Sequence, residues 1–486
     1  MHEEQPSTTD PHGPLGGAFD PEAFRSLGHQ VVDLLADALG ATGRGEAAVR
    51  SGESPQEAFE FWEAQLAGPG SPGSPQELAR LAIERSFRSH HPRNLGHQVG
   101  PVLPAVAAME LVAGLLDTGN GVFEVGNPAT PMERVVLMDL ARRCGLPAGA
   151  DGVLTSGGSL GNLTAMLAMR QAQTGSWDTG STRSPLAVLV STEAHYCVTR
   201  NVKIMGWGEG GAIHIPVDGD YRLRADALEE GLGAARGRGV EVIGVVASAG
   251  STATGRIDPL DEIGRFCEEH GLWFHVDAAH AGAYVFSEKA RPLLRGIERA
   301  DSLVIDFHKM LLSPSLLTAV LFRDGRDSFK TFAQHADYLW REDESTEWWD
   351  AAKRTLECTR PMLGLRAFAA LQSGRDGLLE RYIDHTLAIT HAFADLIEAA
   401  PDFELLTRPE SNIVCYRFTP AGVPGAELDA LNARLREKLV QAGGFYIVQV
   451  EKHGRLYLRS AVMNPHVELS TCEALLDAVR EAGDPG

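Results

Sequence analysis

The 486-residue chain has few cysteines, fewer positive than negative charges and no long apolar run. Its six cysteines, Cys144, Cys197, Cys267, Cys358, Cys415 and Cys472, stand singly. No CxxC pair or other metal-ligand spacing occurs, so no metal centre is expected, and the thiols read as idle ones in a reducing compartment. Lys and Arg number 44 against 65 Asp and Glu, for a formal charge of −21. Nucleic acid and anionic membranes both require a basic face, so neither is expected as a partner. No apolar run approaches the roughly 18 residues of a membrane span. Met1 to Gly17 is polar and rich in Pro and Gly, without a basic-then-apolar leader. The expectation is a cytoplasmic protein.

What is present is an ordinary globular composition, 44% hydrophobic and 22% charged, in a chain long enough for two or three lobes. After a tail (1–18), apolar residues recur at helical spacing from Pro21 to Leu39 and again from Glu77 to Phe87. A Gly/Pro/Ser-rich link, Gly68 to Pro75, lies between them. Residues 19–88 therefore read as a helical lobe with little core of its own, which predicts packing on a second subunit. From 89 to 374, short apolar strands alternate with helices. The strands are Gly152–Leu154, Leu186–Val190, Val240–Ala247, Trp273–Val276, Ser302–Ile305 and Thr318–Phe322. The helices include Leu160–Gln171, Ala225–Ala235 and Pro259–His270. That alternation predicts an α/β domain with a mostly parallel sheet covered on both faces. Residues 375–486 read as a smaller α/β lobe. It has helices at Leu378–Ala399 and Ser470–Ala482, and strands at Ile413–Phe418, Tyr446–Glu451 and Arg455–Ser460.

Four features fall at strand ends, where a parallel sheet gathers its ligand-binding groups. The first is the loop Thr155-Ser156-Gly157-Gly158-Ser159-Leu160-Gly161-Asn162 before a helix. Its glycines permit close backbone approach, and a helix N-terminus attracts phosphate. The loop contains neither GxGxxG nor GK[ST], so it is not a dinucleotide or nucleoside-triphosphate fingerprint. The second feature is His195, after the strand ending at Val190. The third is Asp277 in His275-Val276-Asp277-Ala278-Ala279-His280-Ala281-Gly282, an acid at the end of a buried strand that must meet a compensating partner. The fourth is Asp306-Phe307-His308-Lys309. A lysine at a strand end is normally solvated, but desolvation there would lower its proton affinity and yield a nucleophilic amine.

A phosphate cradle, an imidazole, a buried acid and an activated amine are the parts of a pyridoxal 5′-phosphate (PLP) site. The lysine would hold the cofactor as a Schiff base, the acid would keep the pyridine nitrogen protonated, and the imidazole would stack on the ring. At TSGGSLGN, EAH, HVDAAHAG and DFHK the chain resembles the group II PLP-dependent amino acid decarboxylases of fold type I, from about Phe24 to the last helix. The resemblance implies Lys309 as the cofactor lysine, Asp277 as the pyridine partner and His195 as the stacking ring. It implies Gly157, Gly158 and Ser159 as the phosphate loop, Thr252 beside the cofactor, and His308 as a second active-site histidine.

Many members of that family carry Asn-Pro before His-Lys, where this chain has Asp306-Phe307. An ionised Asp306 would repel phosphate rather than donate to it. The DFHK form, with His335-Ala336-Asp337-Tyr338-Leu339, is more similar to the bacterial diaminobutyrate and lysine decarboxylase branch than to the animal aromatic one. In the family a tyrosine on a mobile loop protonates Cα after carbon dioxide leaves. Tyr338 matches it, beside an acidic segment, Arg341 to Glu347, suited to a lid.

With Tyr338 and His195 both kept, simple decarboxylation is expected. The stretch holding Gly96, His97 and Gln98 matches the place where aromatic decarboxylases carry large aromatic residues, so a polar amino acid is expected. Arg459 matches an arginine that contacts substrate carboxylate in glutamate-type relatives, but that position is basic in other branches too, so dibasic and acidic substrates both stay open; the helical lobe implies a homodimer. Other readings share these parts: a PLP lyase or aldolase cleaving another Cα bond, an aldehyde-forming relative, or an inactive scaffold, against which the presence of Lys309 argues.

Overall fold

The computed structural model describes residues 16–68, 73–180, 184–332 and 348–483. They fall into two compact units: the described residues up to Asn94 with Lys438–Tyr446, and Leu95–Glu437 with the described residues from Ile447 onward.

In the first unit, the helices Pro21–Gly43, Pro55–Ala67 and Pro75–Arg85 each start with proline at the first helical position, where its missing N–H costs nothing. Asp20, Ser54 and Ser74 cap them, and Ser54 forms a reciprocal capping box with Glu57. The helix Pro55–Ala67 was not anticipated from the sequence. Among the three, only Thr42 is buried, while Phe24, Val32, Leu35, Phe59, Trp62 and Leu66 remain exposed.

The second unit is built on a seven-stranded sheet. Its strands in chain order are β1 (Asp151–Thr155), β2 (Leu186–Ser191), β3 (Ala212–Ile215), β4 (Glu241–Ser248), β5 (Trp273–Asp277), β6 (Ser302–Asp306) and β7 (Thr318–Phe322). Their spatial order is β1-β7-β6-β5-β4-β2-β3. All neighbours are parallel except β7, which runs antiparallel to both β1 and β6. Successive residues point to opposite faces, and apolar cores form on both. Leu189, Val245, Phe274, Val276, Leu303 and Ile305 pack on one side, and Val188, Val190, Val246, Trp273 and Val304 on the other. Ala165, Met166 and Met169 of the helix Gly158–Thr174 complete the second layer. Near-continuous apolar strands follow from burial on both faces.

The mostly parallel α/β sheet is as the sequence predicts. The sequence does not reveal β3, which is only four residues long, or the helices Pro104–Leu116, Ala129–Arg143 and Leu363–Ser373. A second, antiparallel sheet is formed by β8 (Phe403–Leu405), β9 (Ile413–Phe418), β10 (Val448–Lys452) and β11 (Arg455–Ala461), in the order β10-β11-β9-β8. The long helix Leu378–Ala399 covers it, with the Phe393 and Tyr416 rings 5.4 Å apart.

Candidate active site

The C-terminal ends of β1, β2, β4, β5 and β6 lie along one edge of the large sheet and surround a cavity of about 260 Å³. Gly157, Gly158, Ser159, His195, Thr252, Asp277, His308 and Lys309 all line it. These eight residues span over 150 positions of sequence, and the parallel sheet brings them together. His97, Gln98 and Arg459 do not line this cavity. Tyr338 and the Arg341–Glu347 segment lie outside the described residues.

The loop after β1 fits an anion. Gly157 has φ +105°, open to glycine alone, and starts the helix Gly158–Thr174 without any side-chain cap. The first N–H groups of a 17-residue helix are thus left for a ligand. A Cβ on Gly158 would lie 3.0 Å from Asp306 Oδ1, so the cradle has no room for a side chain. Asp306 itself is buried at the end of β6, accepts a hydrogen bond from Thr318 Oγ1, and pairs with Lys309 Nζ at 3.0 Å.

That ion pair corrects one expectation. Burial alone pushes the Lys309 ammonium towards losing its proton, but the carboxylates of Asp306 and Asp277 outweigh it. Lys309 is therefore held above its ordinary value, not below it.

His195 behaves differently. Burial lowers its proton affinity despite Asp277 nearby, and its Nδ1 accepts from the Cys197 N–H at 3.3 Å, so the ring is neutral with its proton on Nε2. Asp277 accepts from the Ala279 N–H at 3.2 Å and from Asn162 Nδ2 at 3.3 Å. His308 is anchored by Nδ1 against Leu317, whose carbonyl lies at 3.2 Å.

Residues 105–419 match the model of the pyridoxal-dependent decarboxylase conserved domain. The chain belongs to the pyridoxal-dependent decarboxylase family. It is 33% identical to an L-2,4-diaminobutyrate decarboxylase of Rhizobium meliloti over 85% of this chain and 82% of that one. It is 29% identical to a cysteine sulfinic acid decarboxylase of Mus musculus over 96% and 97%. Among solved structures, mouse CSAD in apo form superposes with a TM-score of 0.89 at 28% identity, covering 96% of this chain and all of that one. The protein is a PLP-dependent amino acid decarboxylase of fold type I.

One further polar residue of the decarboxylase, His280, had no role in the motif reading, and the expected substrate-side residues Arg459, Gln98 and His97 lie outside the cavity lining. His280 lines the cavity and its Nε2 bonds to Asn412 Oδ1 at 2.7 Å, while Nδ1 is buried without a partner. Burial pushes it down to about 3, so it stays neutral. Arg459 on β11 is buried, with Nε donating to the Ala253 carbonyl at 3.0 Å and Nη1 to the Gly96 carbonyl at 3.2 Å. Its Nη2 is buried with no partner, and no carboxylate among the described residues pairs with it. Ala253 directly follows Thr252 of the cavity lining, which places this guanidinium just behind the cavity wall. Gln98 is buried with its Nε2 unpaired, and His97 is exposed.

Proposed function

We propose that the decarboxylase takes a polar L-amino acid bearing a second carboxylate or comparable anionic group, and that Lys309, Asp277, His195 and the Gly157–Ser159 loop hold the cofactor. One observation carries the reading: a single cavity is bounded by an amine, a carboxylate, a neutral imidazole and an uncapped helix start. PLP supplies a pyridinium ring that accepts the electron pair left at Cα as carbon dioxide departs. Lys309 would anchor the cofactor covalently, and the first N–H groups of the helix Gly158–Thr174 would receive its phosphate, with Ser159 and Thr252 alongside. Asp277 would keep the pyridine nitrogen protonated, His195 would stack on the ring as a neutral imidazole, and His308 would support the lysine from the adjacent position. Tyr338 returns a proton to Cα.

The anionic specificity rests on Arg459, whose buried and unpaired Nη2 needs a negative partner. His97 and Gln98, in the stretch bonded to Arg459 through Gly96, offer polar contacts and no aromatic slot. The protein acts as a homodimer, because the first unit leaves Phe24, Val32, Leu35, Trp62 and Leu66 exposed, and apolar area of that kind marks an interface. Its six free cysteines favour the reducing cytoplasm.

A panel of the twenty amino acids with diaminobutyrate, ornithine and cysteine sulfinate, scored for carbon dioxide, amine and aldehyde, tests the substrate reading. Acidic substrates should lead. A preference for an aromatic or dibasic substrate would refute it. Borohydride should fix the cofactor to wild-type protein but not to Lys309→Ala, and sedimentation should give a dimer.

A further inference from the structure

Behind Asp277 lies a line of buried polar side chains that the reaction itself does not use. Trp273, His275 and Asp277 alternate along β5 and so face the same side of the sheet, towards the helix Gly158–Thr174. His275 is directly opposite Ser302 of β6. Trp273 Nε1 lies 2.9 Å from Ser302 Oγ, which lies 2.8 Å from His275 Nδ1. His275 Nε2 lies 2.8 Å from Asn162 Oδ1, and Asn162 Nδ2 lies 3.3 Å from Asp277 Oδ2 and 2.9 Å from the Gly158 carbonyl.

The protons in this line have one consistent arrangement, because both ends are fixed. An indole N–H can only donate, so Ser302 Oγ accepts from Trp273. The hydroxyl proton of Ser302 then goes to His275 Nδ1, and the ring proton sits on Nε2 and goes to Asn162 Oδ1. Both amide protons of Asn162 are left for Asp277 and Gly158. Turning the Asn162 amide over would set its oxygen against a carboxylate and a carbonyl at once, two repulsive contacts in a buried place. A doubly protonated His275 is excluded at neutral pH, since burial pushes the ring down to about 4 even with Asp277 near.

We propose that Asn162 is a positioning residue: at the end of a one-way hydrogen-bond relay from Trp273, it orients the Asp277 carboxylate and ties it to the first carbonyl of the phosphate-loop helix. The relay rests on the reading of Asp277 as the pyridine partner. Asn162 would then fix the spacing between the two places where a cofactor is held, its ring nitrogen and its phosphate. With Ala279 N–H on Oδ1 and Asn162 on Oδ2, each oxygen of Asp277 has one set donor. A lone pair remains for the cavity that the residue lines. Both donors are neutral groups, so they orient the carboxylate without setting an opposite charge beside it.

The experiment compares Asn162→Ala, Ser302→Ala and Trp273→Phe with Asp277→Asn as the control. For each, the dissociation constant of PLP from apoenzyme, the near-visible spectrum of the bound cofactor across pH, and the melting temperature of the apoenzyme are measured. Losing a donor to this half-buried carboxylate should weaken PLP by roughly ten- to hundredfold in N162A, with smaller losses in S302A and the smallest in W273F. The spectral midpoint should shift in the same order. A merely structural line would give a different order, tracking the melting temperature and placing the bulky Trp273 first. That ranking would overturn the proposal. Should N162A fail to fold, Asn162→Asp keeps the volume and replaces the donor by a second carboxylate, and the same loss of PLP affinity is expected. If D277N alters the spectrum while Asn162 variants match wild type, the relay fails and the reading of Asp277 stands. If D277N leaves the spectrum unchanged, the reading of Asp277 itself fails.

Discussion

Lys309 Nζ stands 3.0 Å from Asp306 Oδ2, three positions back along the chain at the end of β6, in a pocket where Asp306 is almost wholly buried. The pair holds the amine as an ammonium, because the Asp306 and Asp277 charges together outweigh desolvation. Only the neutral amine attacks an aldehyde. Asp306 is also the position at which this chain departs from the asparagine of many family members. Asp306→Asn should therefore lower the proton affinity of Lys309, by about one to three pH units for loss of an adjacent opposite charge. The rate of PLP capture by apoenzyme, followed against pH, should show its midpoint displaced downward by that amount. An unmoved midpoint would show that Asp306 does not set the charge of Lys309.

The Arg459 guanidinium spans the Ala253 and Gly96 carbonyls and keeps one N–H group free. Arg459→Lys retains the charge but loses the planar fork. If the proposed acidic substrate is the one taken, its KM should rise by about tenfold or more, with kcat changed far less, since a charge-assisted hydrogen bond is lost in ground and transition state alike. A fall in kcat at constant KM would place Arg459 in the chemistry.

Acid should destabilise the apoenzyme through its buried imidazoles. Burial holds His275 at about 4, with Asp277 opposing, and His280 at about 3, beside Lys309, Arg459 and Asp306. Both values lie below the ordinary 6.5, so the stability they contribute is complete above that pH and drains away as pH falls through the interval beneath it. Asp258, pushed up to about 6 by burial, acts with the opposite sign in the same interval. Urea unfolding between pH 6 and 4.5 should show His280→Phe with a shallower pH slope than wild type, by about 1.4 kcal/mol per pH unit. Equal slopes would mean that His280 is not held neutral.

Tyr338→Phe should move product from amine towards aldehyde, because slower protonation leaves Cα open to oxygen. Amine and hydrogen peroxide measured together report the partition. Unchanged amine would pass the proton-delivering role to His308, the next candidate in reach of Lys309.

Much of this protein could be read from its residues because the signals were local. Runs such as Leu186–Val190 and Ser302–Ile305, buried on both faces, could only be strands of a covered sheet, and each feature of the site followed such a run directly. The family motifs pointed to Gly157, His195, Asp277 and Lys309 one by one, and all four line one cavity. The short β3 and several helices carried weaker patterns and stayed hidden.

Side-chain partnerships across the sheet are another matter. The sign of the Lys309 shift depended on Asp306 and Asp277 converging on one amine, and burial alone would give the opposite answer. His275 and Asn162 stood inside the quoted motifs, but 113 positions separate them, and only the packing of the Gly158–Thr174 helix on β5 joins them at 2.8 Å. The sequence determined which groups are present and which strand ends they follow, since those are properties of neighbouring residues. Which charges compensate one another, and which way the protons point, were decided by the tertiary structure, because both depend on distances between elements far apart in the chain.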